Sequence, residues 1–367
     1  MKTFIPLLVI IIMLVSCKGR STQEQVPVVK YSSEKITLRL GDQVFDEEMP
    51  ADNLSGNDTV RLNVNHTDFV FGLYTDMDTL ERKIPINTTF QVNLIKEDFP
   101  PVVIVVRNGL EREVLQFDLS GQNNDLHFRY EENINSPYFQ KLRAEYPIDS
   151  LAALGKTDLD KARIIATWVH GLWEHDGWNE PEKRDALYIL EEVKKGQRFR
   201  CVEYGIVTTA CLNAIGLKSR TLSLKAKDVE TRVSGAGHVL MEVFLPEQDK
   251  WVMIDPQFDM ITLFNHVPLN AVELQQAITD GKEIEMLTSE EEAKTTYISW
   301  IYPYLYYFNF PFDNRENVDS PDRLRINNKS DLMLVPLGAK EPAIFQQKYP
   351  IDYCFYTHSL KDFYRKP

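Results

Sequence analysis

The chain has 367 residues, with 41 basic against 54 acidic side chains, a net charge of −13, and 43% hydrophobic residues. That length suits about two domains, and the ordinary apolar and charged fractions exclude collagen, global disorder and a polytopic membrane protein. An acidic balance without a basic stripe argues against a nucleic-acid partner, and four cysteines in so long a chain make no disulfide framework.

Lys2 and the apolar run from Phe4 to Val15 form a secretory h-region, too short to span a bilayer as a mature helix. The run exits into Leu14-Val15-Ser16-Cys17, which resembles a bacterial lipobox with Cys17 as the lipidated residue. Residues 1–17 are therefore expected to be a lipoprotein signal peptide and 18–34 a polar tether. The mature chain is expected in the bacterial cell envelope, lipid-anchored outside the cytoplasm, on the outer membrane or cell surface if the cell is Gram-negative.

Residues 35–140 predict a small all-β, sandwich-like domain. Ile36, Leu38 and Leu40 alternate, as do Val60, Leu62 and Val64, and Thr89 to Ile95 is a further strand. The β-branched run Val102 to Val106 is followed by Asn108-Gly109 and a strand-like stretch from Leu110 to Leu119, which predicts a hairpin. Nothing in this region suggests catalysis, and a spacer or recognition module is expected.

Helical periodicity takes over from residue 150. Asp158 is expected to cap a helix with Ile165, Trp168, Val169 and Leu172 on one face, and Asp185 precedes a second with Leu187, Leu190 and Val193 inward. A third spans Cys201 to Ile215, ahead of Gly216. Strands are predicted at Arg220 to Leu224, His238 to Leu245 and Lys250 to Asp255, then a helix near Val272 to Ile278. Helices followed by strands argue for an α+β domain over 150–285. Residues 286–367 are read as an aromatic-rich extension packed on it, with nine aromatic residues between Tyr297 and Phe312.

Arg200-Cys201-Val202-Glu203-Tyr204 sets a cysteine at a helix N-terminus, where unpaired N–H groups favour the thiolate. A lone cysteine is more often a small buried hydrophobe. His238 and Asp255 shift that balance. If Pro246-Glu247-Gln248-Asp249 is a four-residue hairpin loop, Leu245 faces Lys250 and Leu240 faces Asp255. His238 then points to the same face as Asp255, its diagonal neighbour at roughly 7–8 Å. A change of one residue in the loop would separate them. A helix packed on that face could offer Cys201 to the imidazole, completing a nucleophile–base–orienter set.

These segments resemble the core of the transglutaminase-like superfamily, a relative of papain-like proteases. Its order of cysteine at a helix start, then histidine and aspartate on adjacent strands, falls on Cys201, His238 and Asp255. Asn213 to Arg220, Gly237 to Val243, Trp251 to Pro256 and the upstream Trp173 to Asn179 resemble the family's flanking stretches. The resemblance covers about 155–282.

It implies a thiol enzyme acting on peptide or amide substrates through a cysteine thioester, by hydrolysis more readily than by crosslinking. Oxyanion or supporting roles fall to Gln197, Trp178, Asn179 or Gln257, and sequence does not choose among them. No cofactor or metal is expected, since no CxxC pair accompanies the motif and His170 and His175 are poorly spaced for a shared ion. His175 is expected to be supporting or structural, and Cys211 and Cys354 to be core residues. The expected partners are a peptide or protein substrate and a membrane leaflet, with the chain monomeric. A catalytically silent binding protein on the same fold is the rival reading.

Overall fold

The computed structural model describes residues 26–33, 35–41, 43–48, 59–64, 69–109 and 112–367. Cys17 and its lipobox lie outside the described residues. No described helix is long and apolar enough to cross a membrane.

Among the described residues, eight strands make the N-terminal part: β1 (Val28–Lys30), β2 (Lys35–Leu40), β3 (Gln43–Glu48), β4 (Thr59–Val64), β5 (Phe69–Tyr74), β6 (Thr79–Ile84), β7 (Thr88–Ile95) and β8 (Val102–Asn108). They form two four-stranded sheets, β1-β7-β8-β4 and β3-β2-β5-β6. Period-2 alternation sends Val92, Leu94, Ile104 and Val106 of one sheet against Phe69, Phe71 and Leu73 of the other, in one buried core.

The hairpin expected at Asn108-Gly109 does not form. β8 already pairs with β7 on one side and β4 on the other, so no edge is free for a returning strand. Asn108 stays in the strand and spends its side-chain amide on the Ile84 carbonyl, 2.7 Å away. Gly109 adopts φ +125°, where a Cβ would meet the Asn87 Oδ1 at 2.8 Å, so the glycine serves a close crossing rather than a turn. From residue 112 the chain leaves the sandwich. Glu113 bonds to Tyr302 and Gln275, and Phe117 and Phe128 pack on Phe308, Phe310 and Phe312 of the C-terminal region.

Five helices follow: α1 (Pro137–Glu145), α2 (Ile148–Ala152), α3 (Asp158–His170), α4 (Ala186–Lys194) and α5 (Cys201–Ala214). Thr157, rather than Asp158, caps α3, in a reciprocal box with Asp160. α5 is buried around most of its circumference and is the central helix.

Next come β9 (Ser219–Lys225), β10 (Gly237–Leu245), β11 (Lys250–Ile254), β12 (Ile261–Phe264), β13 (Val267–Pro268), α6 (Ala271–Thr279), β14 (Glu285–Leu287) and α7 (Ala293–Ile301). β15 (Tyr307–Pro311), β16 (Asp331–Leu334), the short pair β17 (Ile344–Phe345) and β18 (Tyr349–Pro350), β19 (Cys354–Thr357) and α8 (Leu360–Phe363) complete the chain.

The main sheet has the order β11-β10-β9-β15-β16-β19. The C-terminal extension is therefore not an added layer, because three of its strands continue the sheet. Met241, Val243 and Ile254 face the helices α1–α5. Leu222, Leu224, Leu240 and Met253 face the opposite way, onto α6, Tyr297, Ile301 and the aromatic strand β15.

Candidate active site

Cys201 is the first residue of α5 and is half-buried. Glu203, wholly buried, closes the helix start by accepting the Arg200 backbone N–H at 3.1 Å and its guanidinium at 2.9 Å. The upstream segment docks alongside. Trp173 stacks on Tyr204 at 4.2 Å between centroids, and Tyr204 donates its hydroxyl to the Trp173 carbonyl at 2.6 Å. Asp176 N–H donates to the Phe199 carbonyl at 3.0 Å. His175, between these anchors, is thereby brought to the thiol.

The β10–β11 register pairs Leu245 with Lys250 and Met241 with Ile254, as the four-residue loop requires. His238 and Asp255 consequently share a face, and the His238 Nε2 donates to the Asp255 Oδ2 at 2.8 Å. Asp255 also accepts the Tyr297 hydroxyl at 3.1 Å and the Gln257 backbone N–H at 3.2 Å. The turn after Asp255 is clamped from outside. His170 Nδ1 bonds the Gln257 carbonyl at 3.0 Å, and Asp259 accepts from Thr167 at 2.7 Å and from Ser289 at 2.6 Å.

α5 does not pack on the face that carries His238 and Asp255. It lies on the opposite face, and Gly205 lets it come so close that a Cβ there would meet the Leu240 carbonyl at 3.2 Å. Cys201 reaches the imidazole from the tip of the helix, at the end of β10. The physical reason is the alternation of β10: Met241 and Val243 need an apolar cover, and α5 supplies it.

The electrostatics favour an ion pair. Burial alone would push the Cys201 thiol up, but hydrogen bonds from His175 and His238, the His238 charge and the Val239 N–H hold it at about 6. Burial opposes charging of His238, yet Asp255 and the Cys201 thiolate raise its pKa above that of an ordinary imidazole. With Nε2 held by Asp255, Nδ1 is the ring nitrogen left to exchange a proton with the thiol. Burial, reinforced by the charge of Asp255, keeps the Tyr297 hydroxyl protonated, so it remains a donor.

Sequence reasoning missed the enclosure of the imidazole. Trp300 lies edge-on to the His238 ring at 4.8 Å, with Phe258 at 6.4 Å and Tyr304 at 6.3 Å. Only the density of aromatic residues after Tyr297 signalled it. Among the expected supporting residues, Gln257 acts on Asp255 through its backbone. Asn179 spends its amide on the Arg198 carbonyl at 2.7 Å and the Gln197 Oε1 at 3.3 Å, while Trp178 is 78% exposed. No group of three potential metal ligands is assembled among the described residues. Cys211 and Cys354 are buried.

Residues 148–256 match the family model of the transglutaminase-like superfamily, and this segment is a transglutaminase-like domain. No curated protein matches the chain. Among solved structures, red sea bream transglutaminase is similar at 13% identity over 65% of this chain, with a TM-score of 0.24. The chain spans half the length of that enzyme, the match covering 50% of it. A candidate cysteine protease from Cytophaga hutchinsonii is similar at 10% identity over 71% of this chain and 87% of its own, with a TM-score of 0.28. A candidate protease from Parabacteroides distasonis is similar at 11% identity over 60% and 58%, with a TM-score of 0.23.

Proposed function

We propose that the transglutaminase-like domain is a cysteine-dependent acyl hydrolase acting on peptide or amide bonds. The observation that carries this reading is a half-buried thiol at a helix N-terminus beside a buried His238–Asp255 pair. Cys201 Sγ attacks the carbonyl carbon as a thiolate, and the carbonyl electrons move onto oxygen. The Cys201 backbone N–H, unpaired at the helix start, faces that developing charge. His238 gives its proton to the departing amine, leaving a thioester. A water then loses a proton to His238, attacks the thioester and releases the acid, and the thiol is restored. Asp255 and Tyr297 hold the tautomer that makes both transfers possible.

Hydrolysis is favoured over crosslinking because water needs no second substrate held against the thioester. We further propose that Cys17 is lipidated and holds the domain in the envelope, outside the cytoplasm. Mass spectrometry of intact protein after incubation with peptide libraries should show products shortened by cleavage and an acylated Cys201. Peptides joined instead would overturn the hydrolytic assignment, whereas deamidated peptides would place the hydrolysis at a side-chain amide. An inert Cys201 would favour the silent binding protein. A Cys17→Ser chain should move from the detergent phase to the soluble fraction or stop being processed.

A further inference from the structure

A groove of about 540 Å³ starts at Val202 and Val239, the neighbours of Cys201 and His238 in sequence. Its floor is the part of the main sheet that α5 leaves uncovered. On that face the strands present Thr221, Ser223 and Asn309, whereas their alternate residues Leu222, Leu224, Phe308 and Phe310 are buried in the opposite core. A polar sheet face beside a nucleophile is not required for packing.

Two carboxylates line the groove without touching a cation among the described residues. Asp331 accepts from Ser330 at 2.8 Å and from Asn309 at 2.9 Å, and the nearby Lys225 is spent on the Asn309 side-chain Oδ1. Glu316 accepts only a long bond from Asn213 at 3.4 Å. Burial pushes both acids up, Glu316 to about 7. Thr209, 4% exposed, also lines the groove, and its hydroxyl has no partner. At the rim Arg184 is exposed, and among the described residues Arg323 donates to the Asp313 and Arg315 carbonyls and to no carboxylate. Arg315, by contrast, is saturated by a two-pronged pair with Asp313.

We infer that this groove is a substrate subsite for a short zwitterionic peptide, whose ammonium group is received by Glu316, Asp331 and Thr209 and whose carboxylate is received by Arg184 and Arg323. The assignment rests on the proposed acyl chemistry for its purpose, but not for its existence. A simple amine would leave the arginines unmatched, and a blocked peptide would leave the acids unmatched.

The test is calorimetric titration of the full chain carrying Cys201→Ala, so that binding is read without turnover. Trialanine should bind at least tenfold more tightly than N-acetyl-trialanine or trialanine amide. Glu316→Gln and Asp331→Asn should abolish the preference for the free amine. Arg184→Ala should reduce the preference for the free carboxylate while leaving that for the amine. Equal affinities, no binding, or insensitivity to the acid substitutions would overturn the subsite. Propylamine binding as tightly as trialanine would also overturn it, marking instead a site for a separate amine. Iodoacetamide labelling of the unmutated chain reports the Cys201 thiolate independently, so failure of the catalytic reading is separable from failure of the groove.

Discussion

Asp255 accepts hydrogen bonds from His238, Tyr297 and the Gln257 backbone, and this set decides how the imidazole behaves. The Cys201 pKa is depressed to about 6, so its thiolate persists above that pH and is lost as pH falls through it. Iodoacetamide labelling against pH should therefore rise through a midpoint near 6 at Cys201. Cys211 and Cys354, pushed up by burial, should stay unlabelled while the chain is folded. His238→Ala should move the Cys201 midpoint upward and slow the reaction, and an unchanged profile would refute the ion pair. Asp255→Asn should reduce turnover by as much as about 10⁴-fold through the wrong tautomer, with less effect on labelling. Tyr297→Phe removes one bond to a charged acceptor, worth about 1.5 kcal/mol, so turnover should fall roughly tenfold with KM unchanged. The cysteine, histidine and aspartate were legible in the sequence because each sits in a local motif. Tyr297 and Trp300 were not, since their meeting with Asp255 and His238 depends on α7 folding back across the sheet.

The spacing of α5 from β10 is set by one residue. A leucine at position 205 would press on the Leu240 carbonyl and the Val239 side chain, which already lie 3.2 and 3.5 Å from a bare Cβ. Gly205→Leu should cost about 1–3 kcal/mol by overpacking and displace the helix tip one turn away. Thermal unfolding would read the first effect, and a raised midpoint for Cys201 labelling the second. The β10–β11 hairpin was predictable because a four-residue loop and period-2 alternation fix its register together. The Asn108-Gly109 hairpin was misread for the complementary reason. A turn motif says that the chain can reverse, not whether the preceding strand still has a free edge. Helix α5 was likewise found in the right place along the chain, but on the wrong face of the sheet. Nothing local to residues 201–214 records which side of β10 needs an apolar cover.

At the scale of the molecule, the two ends of the chain relate differently to the site. The sandwich has its own core, built wholly from residues between Val29 and Val106. The C-terminal region shares a core with the catalytic strands. Buried Arg220 pairs with Glu242 at 2.6 Å, donates to the Phe363 carbonyl at 3.1 Å and lies 3.6 Å from the Phe310 centroid. A chain beginning at residue 112 should therefore unfold cooperatively and keep the labelling profile of Cys201. A chain ending at residue 285, which retains all of 148–256, should not. It lacks the Tyr297 bond to Asp255, Trp300 from the imidazole and β15 from the β9 edge, and it leaves that edge open to aggregation. It also loses Phe308, Phe310 and Phe312, all fully buried. At about 1.5–3 kcal/mol each, these three alone rival the 5–15 kcal/mol by which a domain is ordinarily stable. Removing the Arg220 contacts while Glu242 stays buried adds to the deficit. Calorimetry and iodoacetamide labelling of the two truncated chains would decide the matter. A folded, reactive chain ending at 285, or a chain from 112 that fails to fold, would show that the catalytic unit is divided elsewhere than at these cores.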